Sequence, residues 1–119
     1  MADTVVDLQN LADLDQAVAL SADRPVFIYK HSTACPICAR TYRLIHEVAE
    51  KGNLDHAPFF AEVFVIEKRE VSDAIEERFG VSHQSPQLLL LRNASSVWDS
   101  SHFEITEAAI SQVLEDQKV

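Results

Sequence analysis

The apolar residues of this chain fall into short continuous runs that alternate with longer stretches in which they recur every three or four places. Thr4 to Asp7 reads as a short first strand. Leu11, Leu14 and Val18 then keep helical spacing up to about Ala22. Pro25 opens Val26-Phe27-Ile28-Tyr29, whose β-branched and aromatic residues predict a buried strand. After it, Ile37, Leu44, Ile45 and Val48 line one face of a helix reaching roughly Lys51. Phe59 to Ile66 predicts another strand. Val71, Ala74, Ile75 and Phe79 mark a helix that stops at Gly80, a suitable left-handed C-terminal residue. Pro86 to Leu91 is the next strand, and the polar Arg92 to Ser95 turns the chain back into Ser96-Val97-Trp98. Thr106 is placed to cap a last helix, with Ile105 and Ile110 as a hydrophobic staple and Ile110, Val113 and Leu114 facing inward.

The expected order is therefore β-α-β-α-β-α-β-β-α. Strand–helix alternation closed by a hairpin implies an α/β protein with a central mixed sheet and helices on both faces. That succession is the thioredoxin-like fold. At 119 residues the chain suits one domain spanning 1–119, and no repeat, low-complexity tract or Pro/Gly linker divides it.

Charge narrows the partners. A net charge of −9 argues against nonspecific binding to nucleic acid or anionic membranes, both of which need a basic patch. No apolar run approaches a membrane span, and Leu88 to Leu91 is as long as they become. Met1-Ala2-Asp3 lacks the basic-then-apolar pattern of a secretory signal, so a cytoplasmic location is expected unless a leader has been removed.

The candidate chemistry lies in Cys35-Pro36-Ile37-Cys38, directly after the second strand. A pair so close in sequence cannot staple distant segments, and in a reducing compartment it is more often redox-active or metal-binding than structural. Pro36 suits the first helical position, where its missing N–H costs nothing. Cys35 is then expected at the N-cap, facing unpaired backbone N–H groups and the positive end of the helix dipole, both of which favour a thiolate. Lys30 and His31, just upstream, are sources of added positive potential. Cys38 falls one turn later and deeper. The expected division of labour is that Cys35 attacks and Cys38 resolves the mixed disulfide.

Two plainer readings compete. The cysteines are inert core residues in one. In the other they form half of a zinc site completed by two of His31, His46, His56, His83 and His102, although those histidines lack the usual ligand spacing. His31 and His102 adjoin predicted strand ends on the side of the site, and a satisfied structural role is the plainer one for both. Tyr29 and Trp98 read as core or rim aromatics. Asn93-Ala94-Ser95 matches a glycosylation acceptor but reads as a turn.

Val81-Ser82-His83-Gln84-Ser85-Pro86 precedes the strongly apolar strand. In thioredoxin-like proteins a cis-proline facing the cysteine motif stands at this place. Pro86 is expected to be cis, with Ser85 offering its backbone to an extended substrate; the alternative is a trans proline that merely starts a strand.

Lys30-His31-Ser32-Thr33 before Cys35-Pro36-Ile37, then Val81 to Gln87, then Trp98 with Ser101-His102 and Ile105-Thr106, resemble the YtxJ-like bacillithiol-system proteins, also described as monothiol bacilliredoxins. The resemblance spans nearly the whole chain. It implies a thioredoxin fold and removal of bacillithiol from mixed disulfides on cytosolic proteins, with bacillithiol or another low-molecular-weight thiol as co-substrate. No tightly bound cofactor or metal is expected, and the chain is expected to act as a monomer. Cys35 maps onto the family's nucleophile and Pro86 onto its cis-proline, with Thr33, Pro36 and Ser85 as substrate-binding neighbours. The family usually has serine where this chain has Cys38, and a second thiol permits intramolecular resolution. The Gly-Gly pair by which glutaredoxins approach glutathione is absent, Ser100-Ser101 standing before the last helix. The alternatives are a general thioredoxin- or glutaredoxin-like reductase and, from another class, a non-catalytic redox sensor or zinc-binding module.

Overall fold

The computed structural model describes residues 5–116 except 35, 53 and 55. Its elements run β1 (Val5–Asp7), α1 (Leu11–Leu20), β2 (Val26–His31), α2 (Pro36–Lys51), β3 (Phe59–Phe64), α3 (Arg69–Phe79), β4 (Gln87–Arg92), β5 (Ser95–Ser101), a 3-10 turn (His102–Glu104) and α4 (Glu107–Asp116). The order is the one expected from the sequence. Thr4 lies outside the described residues.

The strands form one sheet in the order β1-β3-β2-β4-β5. β3 runs parallel to both β1 and β2, whereas β2–β4 and β4–β5 are antiparallel. Helices cover both faces, so the central strands are buried on both sides and read as continuous apolar runs. Phe27 and Tyr29 of β2, with Leu88 and Leu90 of β4, pack beneath Ile45 and Val48 of α2 and Ile110, Val113 and Leu114 of α4. Val26, Ile28, Leu89 and Leu91 pack on the opposite face beneath Leu14 of α1 and Val71 and Ile75 of α3. Each such fully buried side chain contributes roughly 1.5–3 kcal/mol.

Local chemistry sets the boundaries. Asn10 caps α1, its side chain accepting from the Asp13 N–H at 2.9 Å. α3 ends at Gly80, which takes φ 67°, a left-handed conformation that glycine adopts without a Cβ clash. Thr106 Oγ1 accepts from the Ala109 N–H at 3.1 Å, and Ile105 and Ile110 are buried in one cluster, the cap and staple expected for α4. Asn93 and Ala94 both have positive φ, as a two-residue hairpin turn with right-handed strands requires. Their N–H groups bond the buried Ser21 at the end of α1.

Several boundaries differ from expectation, the hairpin among them: β4 takes in Arg92 and β5 runs from Ser95 to Ser101, so that the turn shrinks to Asn93 and Ala94. β2 continues past Tyr29 through Lys30 and His31, because both are buried and paired with β3. β3 stops at Phe64, as residues 65–68 turn toward α3. β4 begins after Pro86, whose nitrogen has no hydrogen for the ladder.

Candidate active site

The site is built where β2, the start of α2 and the segment before β4 converge. Pro36 is the first residue of α2. The expectation that Cys35 caps this helix and attacks falls on a residue outside those described. Cys38 is fully buried in the first turn of α2, and its Sγ lies 3.6 Å from Ser85 Oγ. The Ser85–Pro86 peptide bond is cis. The Pro86 carbonyl accepts from the His102 N–H at 3.0 Å, tying this segment to the end of β5. Thr33 and Pro36 are exposed, on either side of position 35 in the chain. The structure thus gathers Cys38, Ser85 and Pro86, while Thr33 and Pro36 are placed only by their nearness in the chain.

Behind Cys38 stands Tyr29. It is fully buried, as a core aromatic should be, yet its hydroxyl donates to the Cys38 carbonyl at 3.3 Å. The same hydroxyl is 3.1 Å from His31 Nδ1. A tyrosine has one hydroxyl proton, so the Nδ1–H of His31 donates to it. This pattern places a proton on Nδ1, so that in the neutral form Nε2 is the acceptor nitrogen. Burial pushes the His31 pKa below its ordinary 6.5; Glu67 opposes that shift and His46 adds to it.

The two upstream basic residues part company across the sheet. His31 is 7% exposed and favours its neutral form. Lys30 alternates to the other sheet face, where burial lowers its pKa against the opposing pull of Glu76 and Asp73 on α3. Its Nζ and Gln87 Oε1 are buried without hydrogen-bond partners among the described residues.

Sequence reasoning missed the wall beside this site. His31, Tyr42 and His46 follow one another as tilted rings in contact, with centroids 4.8 Å and 4.2 Å apart. His46 Nε2 contacts the buried Glu62 carboxylate at 2.8 Å. The signal was available: Glu62 interrupts an apolar strand on its core-facing side, and a carboxylate there needs a partner. The other histidines named as metal candidates are dispersed. Among the described residues no three His, Cys, Asp or Glu side chains converge as a metal site would need. His102 is exposed, and its backbone N–H bonds the Pro86 carbonyl.

The arrangement matches thioredoxin-fold structures. A solved thioredoxin-fold chain to which an oxidoreductase role is ascribed shares 27% identity, with a TM-score of 0.77 and 94% of each chain covered. Malassezia sympodialis thioredoxin superposes with a TM-score of 0.77 at 13% identity, over 99% of this chain and 94% of that one. The Trypanosoma brucei brucei thioredoxin does so with a TM-score of 0.75 at 16% identity, over 98% and 92%. The fold class is thioredoxin-like, and the chain is a thiol–disulfide oxidoreductase. A family model described as monothiol bacilliredoxin BrxC matches residues 6–110, and the chain belongs to that family.

Proposed function

We propose that this protein removes bacillithiol from mixed disulfides on other proteins, Cys35 attacking and Cys38 resolving. The observation that carries the reading is the position of Cys38. Its buried sulfur lies against Ser85, beside the cis Ser85–Pro86 bond and three residues after Cys35. Family membership supports a low-molecular-weight thiol as co-substrate. In the first step the Cys35 thiolate attacks the bacillithiol sulfur. The client leaves as a thiolate that takes a proton from water, and Cys35 carries the small thiol. In the second, the Cys38 thiolate displaces that thiol and closes a Cys35–Cys38 disulfide, which an external dithiol reductant reopens. In this reading Thr33, Pro36 and the backbone of Ser85 flank the bound disulfide.

The test is intact mass spectrometry after mixing the reduced protein with a bacillithiolated client. The expected products are free client and protein lighter by two hydrogens. A Cys35→Ser variant should leave the client modified. Equal release by that variant would overturn the assignment. A general disulfide reductase would instead reduce an intramolecular client disulfide as fast as the bacillithiol adduct.

A further inference from the structure

The sheet face beneath α1 and α3 is apolar except at one end. Val26 and Ile28 of β2 and Leu89 and Leu91 of β4 fill it, and the next pair on that face is Lys30 and Gln87. These two are direct cross-strand partners and both are buried. Lys30 Nζ and Gln87 Oε1 nevertheless have no hydrogen-bond partner among the described residues. A buried unpaired acceptor destabilises a fold, and leucine at position 87 would extend the apolar face without one. The glutamine therefore serves something other than packing.

Its amide nitrogen shows what. Gln87 Nε2 donates to the Ser82 carbonyl at 3.0 Å, closing residues 82–87 into a ring through a side chain. Residues 82–84 are exposed and belong to no helix or strand, so burial does little to hold them. The His83 N–H donates to Glu76 Oε2 of α3 at 3.0 Å. The same segment carries Ser85, whose hydroxyl lies 3.6 Å from Cys38 Sγ, and the cis Ser85–Pro86 bond. At its far end the His102 N–H bonds the Pro86 carbonyl. Ser85 is thus held between two fixed points, Ser82 and Pro86.

Resting on the reading above, we propose that Gln87 is a positioning residue for thiol–disulfide exchange. Its buried amide braces residues 82–86, so that Ser85 is presented both to the client disulfide and to Cys38. Without the brace the exposed segment samples other conformations, and rates fall with the fraction that stays competent. The unpaired Oε1 is the stability given up for it.

The test compares Gln87→Leu and Gln87→Glu with wild type. Leucine removes the brace and the unpaired oxygen together. Glutamate keeps the shape but, ionised beside Lys30, can only accept. Both variants should slow client release and closure of the Cys35–Cys38 disulfide about fivefold, the loss expected for one ordinary hydrogen bond. The His83 amide should exchange faster in both, measured by NMR. Yet the urea midpoint of Gln87→Leu should equal or exceed that of wild type, because the exposed Ser82 turns its released carbonyl to water. A residue that matters only for packing would lower stability and activity together, and that outcome would overturn the proposal. Wild-type rates in both variants would overturn it too. Failure of the wild type to release client from any mixed disulfide would instead overturn the reading on which the brace rests, while exchange at His83, which needs no client, would still report the brace.

Discussion

The sulfur of Cys38 and the hydroxyl of Ser85 lie 3.6 Å apart, joining the first turn of α2 to the segment that precedes β4. A thiolate can only accept, so when Cys38 ionises to attack, the Ser85 hydroxyl turns its proton toward the sulfur. In the proposed cycle Ser85 would position the second step and not the first. Ser85→Ala should slow closure of the Cys35–Cys38 disulfide about fivefold, since a modest hydrogen bond to a charged group is lost. Client release should stay unchanged. Quenched-flow mass spectrometry separates the two, because the Cys35 adduct accumulates only when resolution lags. Equal slowing of both steps would point to a structural defect.

His31 makes stability depend on pH. Its folded pKa is depressed by burial below 6.5, so the unfolded chain binds this proton more readily than the folded one. Stability from this group is thus fully present above pH 6.5 and is lost as pH falls through 6.5 toward the folded value. Urea midpoints should fall between pH 7.5 and 5.5, and a His31→Gln variant should show a smaller fall. An equal or larger fall in the variant would remove His31 as the cause. The ring resonances of His31 should also titrate below those of an unstructured histidine.

Much of this fold was legible because its strongest signals are local. Gly80, Thr106 and the apolar run Leu88–Leu91 each carry their own punctuation, and each lies where its chemistry required. The cysteine motif and Pro86 were legible for the same reason. What escaped was long-range pairing across the sheet and helix layer. Glu62 meets His46 across 16 residues, and no local pattern announces which helix position will face it. Lys30 misled because its charge suggested a site role, while strand alternation sends it to the other face of the sheet. Tyr29 was read correctly as core, but only its buried hydroxyl shows that the core reaches the backbone of Cys38.

The hairpin between β4 and β5 carries a removable cost. Ala94 has φ 63°, a left-handed conformation that costs an L-residue with a Cβ roughly 1–2 kcal/mol. Glycine adopts it freely, but it also enlarges the unfolded ensemble by roughly 0.4–1 kcal/mol. The difference favours Ala94→Gly, which also creates the Asn-Gly pair preferred in such turns. A gain of about 0.5–1 kcal/mol is expected in urea unfolding, with no change in thiol exchange. A loss of stability would mean that the methyl group packs usefully where it stands.

The sharpest prediction concerns Cys38, the proposed resolving thiol. Once Cys35 carries the small thiol, Cys38 competes with free thiol in solution to displace it. An intramolecular thiol has the advantage, since holding both groups in one chain raises their effective concentration. The contact with Ser85 at 3.6 Å already holds the Cys38 sulfur at the site. Cys38→Ser should therefore release client at the wild-type rate and then accumulate as a stable Cys35 adduct, heavier by one small thiol. With a dithiol reductant present, wild type should turn over many times, whereas the variant should stall until excess free thiol is added. Wild-type turnover by the variant without that thiol would show that Cys38 takes no part in resolution. The remaining function of its sulfur would then be to protect Cys35, capturing a sulfenic acid there as a disulfide before it oxidises further.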